Sequence, residues 1–374
     1  MKPRRSVIIY RDTLLGPYET FIKQQAESLR TFSPVYVGLR RASGLSLPES
    51  QVRILCGSGV FGKLQRGRFK MLGSSVRQQR AIARESPALI HAHFGQDGCD
   101  VIQLARALCI PLLVTFHGWD VTEGDDRLPR RYVRRRDLLG AYAARLICVS
   151  EFVRNRALAK GFPAAKAVVH YTGIDTEFFR ADPTVGRCPI VLFVGRLIPN
   201  KGCAYLIRAL AAVQKVRPGV RLVVIGDGPL RKELEAHASA VLAEYEFLGV
   251  QSPAIVREWM NRSAVFCVPS VTIDRGVSEG FGMVFAEAQA MGLPVVSFVT
   301  GGIPEAVAHD QSGLLVPERD WEGLAMKLSI LLGNQALWQQ FSEAGQARVA
   351  RLFDSQKQAV SLEKIYEDVL TESG

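Results

Sequence analysis

The chain has 374 residues, 48% of them apolar and 22% charged, a globular composition with room for two domains that excludes a disordered or fibrous chain. Lys and Arg number 47 against 36 Asp and Glu. The excess is lopsided: residues 1 to 185 hold 29 basic and 16 acidic side chains, residues 186 to 374 hold 18 and 20. Short β-branched runs alternate with longer amphipathic stretches, first at Ser6 to Tyr10, Val35 to Leu39, Leu89 to His93, Leu112 to His117 and Leu146 to Ser150. The pattern restarts at Ile190 to Gly195, Leu222 to Gly226, Tyr245 to Gly249, Val265 to Pro269, Val295 to Val299 and Leu314 to Val316. Strands apolar throughout predict sheets covered on both faces, and intervening helices predict parallel βαβ units. Two consecutive doubly wound α/β domains follow, with ligands expected at strand C-termini.

At the start, Met1-Lys2-Pro3-Arg4-Arg5-Ser6 carries signal-like charge, but the apolar run after it is only Val7-Ile8-Ile9, which reads as a first strand. No apolar stretch approaches the roughly 20 residues needed to cross a bilayer. The seven cysteines lack a Cys-x-x-Cys pair and several sit in apolar runs, as buried thiols of a reducing compartment do. A cytoplasmic protein is expected. Between Phe61 and Arg84 lie Lys63, Arg66, Arg68, Lys70, Arg77, Arg80 and Arg84 with no acid, interleaved with Leu64, Phe69, Met71, Leu72 and Val76. A second basic cluster runs from Arg127 to Arg136. Such segments suit an anionic bilayer surface or a solvated helix face. No nucleic-acid-reading module accompanies them, and the aromatics are too few for stacking platforms, so nucleic acid is not expected as a partner.

His91 and His93 alternate on one strand in a pattern a metal can use. No Cys or His cluster completes a ligand set, so no metal is expected there and a role in the cleft or in packing is left for them. His117 follows a strand and precedes Gly118, where this architecture places functional groups. In the second half, Gly195-Arg196-Leu197-Ile198-Pro199-Asn200-Lys201-Gly202 precedes a helix pattern from Cys203 to Val216. Two cations five apart at a helix entrance suit a diphosphate. Gly226-Asp227-Gly228-Pro229-Leu230-Arg231 is part of a dinucleotide fingerprint with Arg231 at the third Gly, and a tight turn explains it equally well. In Ser278-Glu279-Gly280-Phe281-Gly282-Met283-Val284-Phe285-Ala286-Glu287, Glu279 sits in a Gly-rich loop and Glu287 about two turns along an otherwise apolar helix. Two such carboxylates can accept hydrogen bonds from two sets of sugar hydroxyls while loop N–H groups face an anion.

These motifs in order, with Gly292-Leu293-Pro294 and Gly301-Gly302-Ile303-Pro304-Glu305, resemble the retaining, nucleotide-sugar-dependent glycosyltransferases of the GT-B fold. Tyr18-Glu19-Thr20, His91-Ala92-His93-Phe94-Gly95, Phe116-His117-Gly118-Trp119-Asp120 and Gly173-Ile174-Asp175 are similar to the colanic-acid and amylovoran exopolysaccharide branch. The resemblance implies two Rossmann-like domains facing across a cleft: an acceptor-binding domain over residues 1–184, a donor domain over 185–353, and a terminal helix over 354–374 returning to the first domain. It implies a UDP- or GDP-sugar donor and a lipid-linked or polysaccharide acceptor. Arg196 and Lys201 would hold the diphosphate, Glu287 the ribose, and Glu279 the transferred sugar. Gly228, Gly280 and the N–H groups of Phe281, Gly282 and Gly16 would complete the donor contacts, with His117 near the reacting carbon. Glu19, His93 and Asp120 would line the acceptor cleft. Where relatives place Gly-Gly or Leu-Ser before the Glu, this chain has Leu15-Gly16-Pro17-Tyr18, and Pro17 cannot donate a backbone hydrogen bond. Metal-using enzymes of this kind commonly carry Asp-x-Asp, which is absent here, so neither metal nor other cofactor is expected. A nucleotide-sugar epimerase and a catalytically silent sugar-nucleotide binder are the competing readings. The order of Arg196, Lys201, Glu279 and Glu287 argues against the first, and their joint retention against the second. An oxidoreductase would rest on Gly226-Asp227-Gly228 alone.

Overall fold

The apolar runs of the first half assemble into a seven-stranded parallel sheet, ordered Val52–Ile54, Phe32–Gly38, Arg5–Tyr10, Pro87–His93, Leu112–Phe116, Arg145–Cys148 and Ala167–Val169. Those of the second half form a six-stranded parallel sheet, ordered Tyr245–Gly249, Arg221–Ile225, Ile190–Val194, Val265–Cys267, Val295–Phe298 and Gly313–Val316. This is a computed structural model describing residues 4–16, 19–273 and 276–373. Pro17 and Tyr18, on which the expected departure near Gly16 turns, lie outside the described residues. In each sheet the chain order reverses beside the first strand, so the loops after Arg5–Tyr10 and Pro87–His93, and after Ile190–Val194 and Val265–Cys267, flank a topological switch point.

The sequence-level strands are all present, with no end shifted by more than three residues. The three-residue strands Val52–Ile54 and Ala167–Val169 at the sheet edges escape the periodicity because they are too short and too exposed to show it.

One compact unit comprises residues 1–173 and 355–374, the other residues 174–354. The second unit thus begins eleven residues before the expected boundary at 185. Residues 174–184 belong to it because Ile174 donates to the Phe353 carbonyl at 2.8 Å, Asp182 N–H to Asn261 at 3.0 Å, and Arg257 to the Phe178 carbonyl at 3.3 Å. The terminal helix Ser355–Ser373 packs in the first unit, where Leu362, Tyr366 and Val369 join a core with Val7, Ile9, Phe32, Tyr36 and Ile147. Spacings of four and three residues put those side chains on one helix face. The same helix carries Glu363, whose Oε1 accepts N–H groups from Arg30, Thr31 and Phe32 at 2.7, 2.6 and 3.1 Å. Five cysteines are buried free thiols, but Cys109 and Cys188 are exposed, which corrects the expectation that all seven are buried. Cys109 ends the helix Gly95–Leu108 in a left-handed conformation, φ 53°, and so turns outward with the chain.

Candidate functional site

In the second unit the site is built by two interlocked turns. Ile190–Val194 ends in Gly195 and exposed Arg196, and Lys201 closes the short turn Pro199–Lys201 before the helix Cys203–Val216. Gly202 joins them at φ 67°, and a Cβ there would lie 1.8 Å from the Pro269 carbonyl oxygen, so only glycine lets the Lys201 turn reach the loop after Val265–Cys267. Val271 N–H donates to the Asn200 carbonyl at 2.9 Å and ties the same two loops. Their closeness puts Lys201 in an ion pair with Glu279, two side chains only 17% and 14% exposed. Ser270 Oγ stands 3.4 Å from the same carboxylate oxygen.

The loop bearing Glu279 is held from behind. Gly302 N–H donates to the Glu279 carbonyl at 2.9 Å, and side chains at Gly301 or Gly302 would each reach to 2.2 Å of the Glu279 or Gly280 carbonyl oxygen. Glu318 fastens the loop's other end, accepting from Thr272 N–H at 2.8 Å and Thr272 Oγ1 at 3.0 Å, and from Thr300 Oγ1 at 3.3 Å. Phe281 is buried edge-on against Phe353 with ring centroids 5.0 Å apart. Gly282, at φ 80°, opens the helix Met283–Ala290, so Glu287 lies in that helix's second turn. The Glu287 carboxylate has no partner among the described residues, and burial pushes it up to about 7. Arg196 is likewise without an acidic partner. Gly228 proves a packing glycine as well as a candidate contact, because a side chain there would meet the Leu197 carbonyl oxygen at 2.4 Å, while Asp227 and Arg231 pair with each other at 3.2 Å.

The first unit gathers a different set. Arg11, just past the first strand, bonds Glu19 at 3.0 and 2.5 Å, pairs with Asp97, and lies 4.4 Å from the Phe94 ring centroid. Glu19 also accepts the Gly16 N–H at 2.8 Å, so the backbone donor assigned by resemblance to the nucleotide-sugar is engaged within its own turn. Phe94, at φ 72°, packs on His117 with ring centroids 4.6 Å apart, and Phe21 flanks the same imidazole at 4.9 Å. A phenylalanine in the left-handed region is strained and persists only where its surroundings hold it. His117 Nε2 and His93 Nδ1 lie 3.0 Å apart, so the two rings share one proton. Burial lowers both below the ordinary histidine range, keeping the pair neutral. His117 Nδ1 has no partner among the described residues. His91 bonds Tyr366 and Thr115 at 2.6 Å each and is fully buried, a packing histidine.

Asp120, placed in the acceptor cleft by resemblance, anchors its loop. It is 1% exposed and accepts N–H groups from Gly95, His117 and Gly118 at 2.9, 3.2 and 3.1 Å. Burial nonetheless dominates and raises it to about 6. Arg11, Phe94, Asp97 and Ser270 were not singled out from the sequence. Arg11 and Ser270 each stand just past a strand, the signal that found His117. Among the described residues no group of three or more His, Cys, Asp or Glu is placed to hold a metal ion, and no helix is long and apolar enough to cross a membrane.

Residues 175–348 match the family described as Glycosyl transferases group 1, and residues 19–178 match Glycosyltransferase Family 4. An uncharacterised glycosyltransferase of Methanocaldococcus jannaschii is 30% identical over 290 residues, 77% of each chain. A GDP-mannose-dependent alpha-(1-6)-phosphatidylinositol monomannoside mannosyltransferase of Mycobacterium tuberculosis is 33% identical over 59% of this chain and 60% of its own. The putative colanic acid biosynthesis glycosyltransferase WcaL of Escherichia coli is 30% identical over 64% of this chain and 60% of its own. The matches thus span about three-fifths of the latter two relatives. In fold, the chain is similar to Anabaena HepE in complex with UDP, with a TM-score of 0.80, 19% identity, and coverage of 97% of this chain and 100% of that one. With two parallel α/β domains, two family matches and a relative aligned over three-quarters of both chains, the chain belongs to the group 1 glycosyltransferases of the GT-B fold and is a transferase enzyme.

Proposed function

We propose that the enzyme moves a sugar, with retention at the anomeric carbon, from a nucleoside diphosphate donor to a lipid-linked or polysaccharide-precursor acceptor in the cytoplasm. The observation that carries this reading is the Lys201–Glu279 pair at the second switch point, in the unit that also holds Arg196 and Glu287, whose side chains have no partners among the described residues. On donor binding the diphosphate takes the place of Glu279 on the Lys201 ammonium. The released Glu279 carboxylate then accepts from hydroxyls of the sugar, and Glu287 from those of the ribose. As the bond from the anomeric carbon to the phosphate oxygen breaks, its electron pair leaves on the phosphate, where fixed cations meet the developing charge. Arg196 and Lys201 supply two such cations, and we read the reaction as independent of metal. In the first unit, His117 Nδ1 is the polar atom offered to the acceptor. Support for a UDP or GDP donor and for a lipid or exopolysaccharide acceptor comes from what the relatives are named for.

The test is thermal stabilisation by UDP-, GDP- and ADP-sugars, with and without a chelator, since a ligand at a hundred times its Kd adds about 2.7 kcal/mol. One sugar nucleotide is expected to raise Tm equally in both conditions, and the gain is expected to vanish in Lys201→Ala and Glu287→Ala. Stabilisation unchanged in both variants removes the donor assignment, and stabilisation only with added metal removes the metal-free reading. Retention is read from the anomeric configuration of the product by NMR.

A further inference from the structure

The helix Gly59–Leu72 turns its apolar side away from the protein. Gly62 and Phe69 are buried, yet Val60, Phe61, Leu64, Met71, Leu72 and the neighbouring Val76 are each 61–75% exposed. At 100° per residue, Val60, Leu64 and Met71 fall on one line along the helix, opposite Gly62 and Phe69. Isolated exposed apolar side chains are ordinary, whereas six within 17 residues, three of them on one helical line, call for a covering phase. Lys63 and Arg68 flank the line and Arg77 and Arg80 follow on the helix Val76–Ala83, none with an acidic partner among the described residues.

The helix is also firmly seated. Lys70 bonds Asp12 at 2.7 Å, Arg131 and Arg135 donate to the Lys70 carbonyl at 2.8 and 3.2 Å, and Arg135 reaches the Met71 carbonyl at 3.2 Å. Part of the second basic cluster therefore caps this helix and is not free to meet a partner, which moves the interaction surface to Gly59–Leu72. Asp12 follows Arg11 directly and donates its N–H to Asp97 at 2.9 Å, so the seat of the helix adjoins the Arg11–Glu19–Asp97 network beside His117.

We propose that the outer face of Gly59–Leu72 is a bilayer-docking surface, with Val60, Leu64 and Met71 entering the acyl boundary of an anionic leaflet and Lys63, Arg68, Arg77 and Arg80 meeting its headgroups. Charge selects this occupant: an apolar stripe rimmed by unpaired cations fits a negative interface with a hydrocarbon interior. The inference uses residues separate from the donor site and goes beyond the donor reading. It places the first unit where a lipid-linked acceptor is presented.

Flotation with vesicles of equal parts phosphatidylglycerol and phosphatidylcholine tests it, with donor-induced thermal stabilisation measured on the same preparations. Binding is expected at low salt. It is expected to fall by about fivefold for each of Lys63→Gln and Arg68→Gln, the effect of about 1 kcal/mol per cation. It should fall at least about tenfold in the double variant Leu64→Gln/Met71→Gln, which loses two buried aliphatic chains. Because these positions are exposed, both sets should keep wild-type Tm and donor stabilisation. Equal binding to pure phosphatidylcholine, wild-type binding by the Leu64→Gln/Met71→Gln variant, concentration-dependent dimerisation abolished by that variant, or retention by nucleic acid and not by vesicles would each overturn the proposal. Loss of donor stabilisation with vesicle binding intact strikes the donor reading alone.

Discussion

The two units place similar numbers of polar side chains at their switch points and treat them in opposite ways. In the first, Glu19, Asp97 and Asp120 are held by Arg11 and by backbone N–H groups, and of the His93–His117 pair the outer nitrogens, His93 Nε2 and His117 Nδ1, stay without partners among the described residues. In the second, Arg196 and Glu287 have no side-chain partners among the described residues, and Lys201 and Glu279 hold each other with Ser270 at the same carboxylate. A buried polar group that is fully bonded fixes a shape, and an unsatisfied one keeps its interaction for a ligand. Saturation in the first unit thus builds a wall of set geometry, whereas the second unit stores binding capacity. Substitutions should accordingly affect stability in one and catalysis in the other.

The sharpest break in that contrast would come from Lys201→Ala. On the proposed reading it removes a cation from the departing phosphate and should lower kcat/KM by roughly a hundred- to a thousandfold, the scale of losing one preorganised electrostatic contact, with little change in Tm. A large Tm loss with intact turnover would make the pair structural and erase the contrast. Gly202→Ala tests the scaffold beneath it. With φ 67° and a Cβ 1.8 Å from the Pro269 oxygen, the variant cannot keep both loops in place. Destabilisation of about 3 kcal/mol or more is expected from strain of this kind, measured by urea unfolding, together with loss of donor stabilisation.

Asp120→Asn probes the saturated side. An asparagine oxygen can still accept from His117 and Gly118, but its NH2 faces the Gly95 N–H, donor against donor. The expected loss is about 1–3 kcal/mol for the unsatisfied group, read as a lowered urea midpoint, with kcat per folded molecule nearly unchanged. A drop in kcat with full stability would restore Asp120 to the cleft.

The sequence disclosed the half of this design that is local. Parallel strands are apolar on both faces, so their runs stand out, and the loops after them, which carry Lys201, Glu279 and His117, follow from the strand ends. The glycines at 202, 301 and 302 were legible as motif, but their cause, close approach to carbonyls of other loops, exists only in three dimensions. The saturating network was hidden because Arg11 meets Asp97 across 86 positions and Glu363 meets Arg30 to Phe32 across more than 330. Asp120 and Glu19 were assigned to the acceptor cleft by resemblance, which says nothing of the backbone N–H groups and the Arg11 guanidinium that hold their carboxylates. Phe94 gave no sign of its left-handed backbone, a conformation imposed by packing against Arg11 and His117.

The smallest predicted effect is also the most specific to an unpartnered group. Burial holds Glu287 at about 7, above the roughly 4.3 of an unfolded glutamate. The folded state therefore favours the protonated carboxyl, and the wild type should lose stability as pH rises from about 4 to about 7. Glu287→Gln removes that titration. Without donor, the variant should be more stable than wild type at pH 8 by about 1–3 kcal/mol, a gap that closes below about pH 4. Asp97, Asp100 and Asp120 are also raised, but they titrate in both proteins and cancel in the difference. Donor binding should show the reverse slope. A carboxylate accepting ribose hydroxyls must be ionised, so wild-type affinity should rise about tenfold per pH unit up to about 7 and then level, while the Gln variant binds weakly and without that slope. Calorimetric titrations of both proteins across this range distinguish a ligand-ready carboxylate from one that is merely buried, because only the former couples proton release to the nucleotide.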